Sequence, residues 1–373
     1  MKVLHIVKSL GRGGAEMLLQ ETLKLHHRDE FEFHYMYFLP WKNQMVEGLQ
    51  KAGGTVVNFS AKNNITIMLQ VPKIISYIRK NNIQLVHCHL PWAGFAGRLI
   101  HKLTGIPVLY SEHNIQDRYH FITRTLNRIT FNWQNLVIAV SGDVAQSIQR
   151  SIKPVIPVQT ILNGVNTAQF RRDPAQRMLK RNELGLHDGI VLIGTIAVFR
   201  FQKRLIEWLE VIAAIRKKHP QVKACIVGDG PLKNEILEHI TKLGLNDHVI
   251  LPGLQAEVKP WLSAFDIFMM TSSFEGLPIA LLESMSMECA VVCTDAGGIK
   301  ELIRNGNDGF LEPVDDWKNL EAPLGYLIQH PQEIRKFGAS ARSRVEASFS
   351  MLSMVDQLEE VYRQVMLTQK TKK

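Results

Sequence analysis

Two glutamates eight residues apart, in a stretch bearing glycine and proline, are the chain's strongest candidates for chemistry. The stretch reads Ser272-Ser273-Phe274-Glu275-Gly276-Leu277-Pro278 and runs on to Glu283. Proline suits a first helical turn, so a helix is expected from Pro278, with the N–H groups of Gly276 and Leu277 turned toward an anion. At ~1.5 Å rise per residue, eight residues would set the two glutamate backbones roughly 12 Å apart. Carboxylates that flank a glycosidic bond in hydrolases stand only ~5–9.5 Å apart. The two acids are better suited to hold opposite ends of one extended ligand, with its phosphates between them. The plain alternative is a capping acid and a solvated helix acid.

Cations for such phosphates stand at Arg200 and Lys203, just past the apolar run Ile190–Val198. Open α/β sheets bind ligands at strand ends of this kind, although a solvated basic helix start would look the same. Gly228-Asp229-Gly230-Pro231 closes the next run and suits either a nucleotide pocket or a turn. Near the N-terminus, Gly11-Arg12-Gly13-Gly14-Ala15-Glu16 would let backbone N–H groups approach a phosphate. Its spacing is not G-x-G-x-x-G and no clear ribose-binding acid follows the second run, which argues against a nicotinamide enzyme. No Asp-x-Asp is present to hold a divalent ion on a diphosphate. His87 and His89 alternate on one strand face, so a metal site with His113 is conceivable, but no carboxylate ligand has convincing spacing.

The elements that must position these residues repeat one pattern. Thirteen short apolar runs, from Val3–Val7 to Gly309–Leu311, alternate with amphipathic stretches such as Met17–Leu25, Ile74–Lys80 and Leu205–Lys218. Near-continuous Val, Ile and Leu suit parallel strands buried on both faces. The expected fold class is α/β, with two Rossmann-like doubly wound domains. The division is drawn at 1–168, 169–350 and a helix over 351–373 that packs back toward the first domain and ends in a basic tail. A linker is placed near Asn163–Pro174. Residues 114–133 put Ile115, Tyr119, Ile122, Leu126, Ile129 and Trp133 on one helical stripe, most simply a core face, with Arg118, Arg124 and Arg128 off it.

A chain of 373 residues, 46% apolar and 21% charged, has ordinary globular composition and room for two cores. No apolar run approaches the ~20 residues that span a bilayer, and Val3–Val7 reads as a strand rather than a signal peptide. Four cysteines without a C-x-x-C pair suggest reduced core residues of a cytoplasmic protein. The net charge of +9 is lopsided: residues 1–168 hold 18 Lys+Arg against 9 Asp+Glu, while 169–373 hold 26 of each. Solubility is the bland reading of that surplus; an anionic membrane surface or acceptor is the sharper one. No nucleic-acid partner is expected.

Glu275 and Glu283 together form an E-x7-E pattern inside Phe-Glu-Gly-Leu-Pro. With Gly-Gly-Ala-Glu near the N-terminus, Ser-Glu-His-Asn at 111–114, Asn163-Gly164-Val165-Asn166, Val227–Leu232 and Asp295-Ala296-Gly297-Gly298, the chain resembles the retaining glycosyltransferases of family 4. The resemblance covers nearly the whole length and is most specific over residues 190–312. It implies the GT-B architecture, two Rossmann-like domains facing across a cleft. It also implies that the Gly13–Gly14 backbone and the Gly276–Leu277 amides bind the donor diphosphate, with Gly228 in the nucleotide pocket. Glu283 would hold the ribose, Glu275 the transferred sugar, and His113 would sit beside that sugar. Arg200 and Lys203 would neutralise the departing nucleoside diphosphate, without a metal. Many members carry the arginine five residues before the lysine, where this chain has Val198, so Lys203 is the safer assignment.

The implied reaction is retaining, metal-independent hexosyl transfer from a nucleotide sugar to a glycan or lipid-linked acceptor, in polysaccharide or glycolipid synthesis. No side chain is placed as a nucleophile, so attack from the leaving-group face is favoured, with closure about the 163–174 hinge. A cytoplasmic location, peripheral on the inner face of the membrane, goes with it. The competing readings are a sugar-nucleotide epimerase or phosphorylase on the same fold, and a non-catalytic sugar-nucleotide-binding protein.

Overall fold

A computed structural model describes residues 1–11 and 13–370, with the backbone alone at Lys370. Arg12 of the glycine-rich loop and the last residues of the basic tail, 371–373, lie outside the described residues. Each of the thirteen apolar runs houses a strand. The chain divides into two compact units, Met1–Asn163 with Met351–Lys373, and Gly164–Ser350.

The first unit holds β1 (Lys2–Ile6), β2 (Glu32–Tyr37), β3 (Thr55–Asn58), β4 (Leu85–His89), β5 (Val108–Glu112), β6 (Leu136–Ala139) and β7 (Val158–Thr160). They form one parallel sheet in the order β3-β2-β1-β4-β5-β6-β7. The central strands β4 to β6 are buried along their whole length, as the unbroken apolar runs require. Helix Pro91–Thr104 lies tight against them through two glycines. A Cβ on Gly97 would stand 2.3 Å from Cys88 Sγ, and one on Gly94 2.8 Å from the Tyr110 ring. The final helix, Met351–Lys370, also belongs to this unit. It buries Val355, Val361 and Tyr362, and its buried Glu359 accepts bonds from the His27 backbone and from the rings of His26 and His27.

The second unit holds β8 (Leu192–Ile196), β9 (Lys223–Val227), β10 (Val249–Gly253), β11 (Ile267–Met270), β12 (Ala290–Thr294) and β13 (Phe310–Glu312), ordered β10-β9-β8-β11-β12-β13. Every pairing in it is again parallel. Helix Leu205–Lys218 shows why the sequence folds this way. Leu205, Trp208, Leu209, Ile212 and Ile215 recur at helical spacing and are all buried in the unit's core. Burial of each such side chain contributes roughly 1.5–3 kcal/mol. The Trp208 indole N–H, taken out of water, donates to Met269 O at 3.0 Å. Arg216, Lys217 and Lys218 sit in the last turn, where positive charge suits the helix dipole. All four cysteines are free and buried. Among the described residues, no helix is long and apolar enough to cross a membrane.

One expectation fails. The stripe from Ile115 to Trp133 is not a core face: Ile122 and Ile129 are exposed, and the one buried residue of helix Phe121–Thr130 is Asn127. A 3-10 turn at Gln116–Arg118 interrupts the segment, so the helical period cannot be carried across it.

Candidate active site

In the second unit the candidate residues, apart from Glu283 on helix Ile279–Ser286, lie on loops that leave the carboxyl ends of β8, β9, β11 and β12. Lys203 closes a 3-10 turn (Phe201–Lys203) after β8, and its Nζ donates to Glu275 Oε1 at 2.6 Å. Ser272 Oγ donates to the same oxygen, also at 2.6 Å. Both charged side chains are largely buried, where such a pair is screened less than at the surface. Hydroxyls fasten the two loops together: Thr271 Oγ1 donates to the carbonyls of Lys203 (3.1 Å) and Arg204 (2.8 Å), and Ser273 N donates to Gln202 O (2.8 Å). Thr294 Oγ1, buried at the end of β12, holds Ser272 O at 2.7 Å. Sequence reading quoted Ser272 only as part of the motif and passed over Thr271 and Thr294. Hydroxyl residues ending apolar strands were the available signal.

Glycines set how closely these loops approach. A Cβ on Gly298 would stand 1.9 Å from Gly276 O, and one on Gly297, at φ +62°, 2.1 Å from Glu275 O. The Asp295-Ala296-Gly297-Gly298 turn is thereby pressed onto the backbone of Glu275 and Gly276. Gly228 makes the same kind of contact, its absent Cβ 1.9 Å from Ala197 O at φ +136°. Backbone bonds between Phe199 N and Asp229 O (3.0 Å) and between Leu232 N and Phe199 O (3.2 Å) complete that seam.

The helix after the motif begins at Ile279, with Pro278 as its extended N-cap, one residue later than expected. The span from Glu275 to Glu283 is therefore only partly helical, and the spacing drawn from helical rise applies from Ile279 to Glu283 alone. Leu277 and Glu283 are buried, and Gly276 is backed by Gly298. Arg200 is exposed as the N-cap of the 3-10 turn and is not drawn to Glu275 as Lys203 is. The next residue that the sequence reading passed over is Arg204, which takes a left-handed φ of 49° and reaches Glu207 and Val314 O.

In the first unit, Gly13 caps helix Gly14–Leu23 in extended geometry, with Glu16 in the first turn. Ser-Glu-His-Asn ends β5 around a buried carboxylate. Glu112 accepts bonds from Tyr110 (2.8 Å), from Tyr119 and Gln116, and from the backbones of His113 (3.0 Å) and Asn114 (3.1 Å). Burial pushes the Glu112 carboxyl up in spite of those donors. Burial also lowers the His113 imidazole from 6.5 to about 4, so it is neutral near neutral pH and can exchange hydrogen bonds with hydroxyls.

His113 adjoins an array of buried histidines. His5 and His87 are register partners on β1 and β4, and His89 lies two residues on along the same face. Their nearest ring atoms lie within 4.8 Å, close enough to hold a metal ion as a group. The metal set considered from sequence named His113 in place of His5, whose pairing with β4 no local spacing reveals. His113 stands beside His89, ring centroids 5.8 Å apart. His5 Nδ1 and His89 Nε2 are 2.9 Å apart, and His87 bonds with Tyr362 OH and Ser111 Oγ, both at 2.8 Å. Burial lowers His87 to about 3 and holds His5 and His89 well below the usual range.

Comparison with known proteins identifies the family. The sequence profile of Glycosyltransferase Family 4 matches residues 12–169, and that of Glycosyl transferases group 1 matches residues 176–344. The N-acetyl-alpha-D-glucosaminyl L-malate synthase of Bacillus anthracis is 28% identical over 311 residues, spanning 81% of this chain and 80% of that protein. The UDP-Gal:alpha-D-GlcNAc-diphosphoundecaprenol alpha-1,3-galactosyltransferase of Escherichia coli is 23% identical over 317 residues, 80% of this chain and 81% of that one. Among solved structures, Anabaena Alr3699/HepE in complex with UDP and glucose superposes with a TM-score of 0.87 at 22% identity, over 98% of this chain and 100% of that one. Two parallel Rossmann-like units, a Lys203–Glu275 pair within the group 1 match and a Ser-Glu-His-Asn strand end within the family 4 match meet in one conclusion: the chain is a glycosyltransferase of the GT-B fold and belongs to the group 1/family 4 glycosyltransferases.

Proposed function

We propose that this glycosyltransferase moves a hexose, with retention at the anomeric carbon, from a nucleotide sugar to a glycan or lipid-linked acceptor in cell-surface polysaccharide or glycolipid synthesis. The observation that carries the reading is Lys203 Nζ and Ser272 Oγ converging on one oxygen of Glu275, on a loop held by Gly297 and Gly298. That is a fixed polar cluster at strand carboxyl ends, where an open α/β sheet takes its ligand. Its relatives' names supply the donor class: the E. coli protein uses UDP-galactose, and the Anabaena protein holds UDP.

In this reading the bond from the anomeric carbon to the diphosphate breaks with its electron pair going to the departing phosphate oxygen. The acceptor hydroxyl attacks from the same face, and its proton passes to that oxygen. Lys203, with Arg200 assisting, meets the charge that grows on the leaving group, as do the N–H groups of Gly276 and Leu277 and the Gly13–Gly14 backbone. Glu275 holds the transferred sugar, Glu283 the ribose, and His113 is assigned to the sugar through the family resemblance. Gly228 belongs to the nucleotide pocket. With those donors no divalent ion is needed. The enzyme works in the cytoplasm, peripheral on the inner face of the membrane, where the surplus positive charge of residues 1–168 favours an anionic surface.

Steady-state kinetics and UDP calorimetry on Glu283→Gln and Glu275→Gln, in the presence of a chelator, test the reading. Loss of a hydrogen bond to a charged group, roughly 1.5–3 kcal/mol, predicts a 10- to 150-fold rise in donor KM for Glu283→Gln with a smaller change in kcat. Glu275→Gln should lower kcat and leave UDP affinity nearly intact. The reverse pattern exchanges the two assignments, and activity that disappears with chelator and returns with Mg²⁺ removes the metal-independent mechanism.

A further inference from the structure

Helix Phe121–Thr130 is amphipathic the wrong way round for a helix of a water-soluble sheet domain. Its exposed side carries Phe121 (66% exposed), Ile129 (62%) and Ile122 (49%), and its inward side is fastened by polar bonds. Asn127, fully buried, accepts from Arg98 Nη1 (2.8 Å) and donates to Gln116 Oε1 (2.9 Å). Arg98 is itself buried, its guanidinium 4.9 Å from the ring centres of Tyr110 and Phe131, and it also reaches Gln134 at 3.1 Å. The helix is thus anchored by polar bonds, while three of its four apolar side chains, all but the half-buried Leu126, are left in solvent. Isolated exposed apolar residues are ordinary; three on one short helix face form a patch.

Charge identifies what the patch meets. On a helical projection Arg124 and Arg128, both exposed, line the edge of that face opposite Ile122 and Ile129. No Asp or Glu occurs from Arg118 to Gly142, and this half of the chain holds the whole +9 surplus. A partner protein with a plain apolar groove would gain nothing from the arginines. An anionic bilayer uses both features: the apolar side chains enter the acyl boundary, and long cationic side chains reach up to the headgroups.

We infer that helix Phe121–Thr130 is the element by which this enzyme lies on an anionic lipid surface, Phe121, Ile122 and Ile129 forming the inserted edge and Arg124 and Arg128 the headgroup contacts. The inference deepens the peripheral-membrane part of the proposed function and rests on it. Neither set of side chains belongs to the donor site, so substitutions there leave nucleotide binding unchanged.

The test is flotation with phosphatidylcholine vesicles, with and without phosphatidylglycerol, using the whole protein. The parent should bind only the anionic vesicles, more weakly as salt rises. Phe121→Ser with Ile129→Ser should weaken binding at least tenfold at any salt. Arg124→Gln with Arg128→Gln should cost roughly 5-fold per arginine, about 30-fold together, and flatten the salt dependence. All substitutions are on exposed positions, and an unchanged Tm and UDP affinity show that the fold and donor site are intact. Equal binding to neutral vesicles, equal binding by the variants, or no vesicle binding overturns the inference. Self-association of the parent that the Phe121/Ile129 variant abolishes would also overturn it and give the patch to a second copy of the chain. If the parent binds vesicles as described but no nucleoside diphosphate, the donor-site reading fails while the surface assignment stands.

Discussion

The two units share a strand order, β3-β2-β1-β4-β5-β6 in the first and β10-β9-β8-β11-β12-β13 in the second, yet treat their polar groups in opposite ways. The first buries neutral groups on and just beyond the strands. His5, His87 and His89 face one another between β1 and β4, and desolvation keeps all three uncharged. The second keeps its chemistry on loops and ionised, with Lys203 and Glu275 paired and the loops clamped by glycine contacts. Charge stabilisation during the proposed diphosphate departure calls for fixed ions and N–H donors, the part assigned above to the second unit's loops. A neutral imidazole suits hydroxyl groups instead, and His113 offers one. The same topology therefore carries two kinds of polar site, and each kind should fail in its own way.

The sharpest break in the comparison is at Gly298. A Cβ there would meet Gly276 O at 1.9 Å, a backbone atom that cannot move without displacing the Glu275 loop. Gly298→Ala should cost about 3 kcal/mol or more and abolish UDP binding. Gly325, inside helix Glu321–Gln329, has only His219 Nε2 near its absent Cβ, at 3.8 Å. Gly325→Ala should raise stability by about 0.5–1 kcal/mol, because alanine is the better helix residue. Denaturant unfolding of both variants decides this. Equal stabilities would mean that the glycine turns do not set the loop.

Acid should separate the units next. A histidine whose folded pKa lies below its unfolded 6.5 contributes stability that is complete above 6.5 and is lost as pH falls toward the folded value. For His113 that window runs from 6.5 to about 4, and for His87 down to about 3. At pH 5 each such neutral histidine costs roughly 2 kcal/mol relative to neutral pH. Glu112, raised by burial, opposes the trend, as does His27, raised by its bond to Glu359. They are outnumbered by His5, His26, His87, His89 and His113. In the second unit the shifted histidine is His248. Hydrogen exchange at mildly acidic pH should show β1, β4 and β5 losing protection while β8, β11 and β12 keep theirs. Simultaneous loss in both units would deny the histidine array this part.

The same contrast explains what could be read in advance. Both sheets were legible, because thirteen apolar runs too short for helices admit little besides parallel strands. Lys203 and Glu275 were legible as candidates because each lies in a short motif. Their contact, across 72 residues, was not, since β11 must first pair with β8. His5 was hidden for the same reason: it joins His89 across 84 residues. The stripe at 114–133 misleads because a 3-10 turn breaks its helical period and because, within helix Phe121–Thr130, Ile122 and Ile129 face outward. The polar anchor of that helix, Asn127 on Arg98, leaves no periodic trace.

The smallest expected effect is also the most specific. Glu275 Oε1 accepts from both Lys203 Nζ and Ser272 Oγ at 2.6 Å, so removing the hydroxyl leaves the carboxylate held from one side. A hydrogen bond of this kind contributes about 1–1.5 kcal/mol net, which predicts a 5- to 10-fold lower kcat for Ser272→Ala. Donor KM should hardly move, because in the proposed assignment the bond aims Glu275 at the transferred sugar rather than binding the nucleotide. Ser272 is a positioning residue in this reading, acting only through Glu275. Its loss should therefore matter less once Lys203→Gln or Glu275→Gln has already loosened that carboxylate. A double-mutant cycle measures the difference directly. Strict additivity of Ser272→Ala with Glu275→Gln would mean that the hydroxyl serves some other partner. A coupling of about 1 kcal/mol, present with Glu275 and absent with a distant substitution such as Gly325→Ala, would show that the second unit's ionised cluster works as one device.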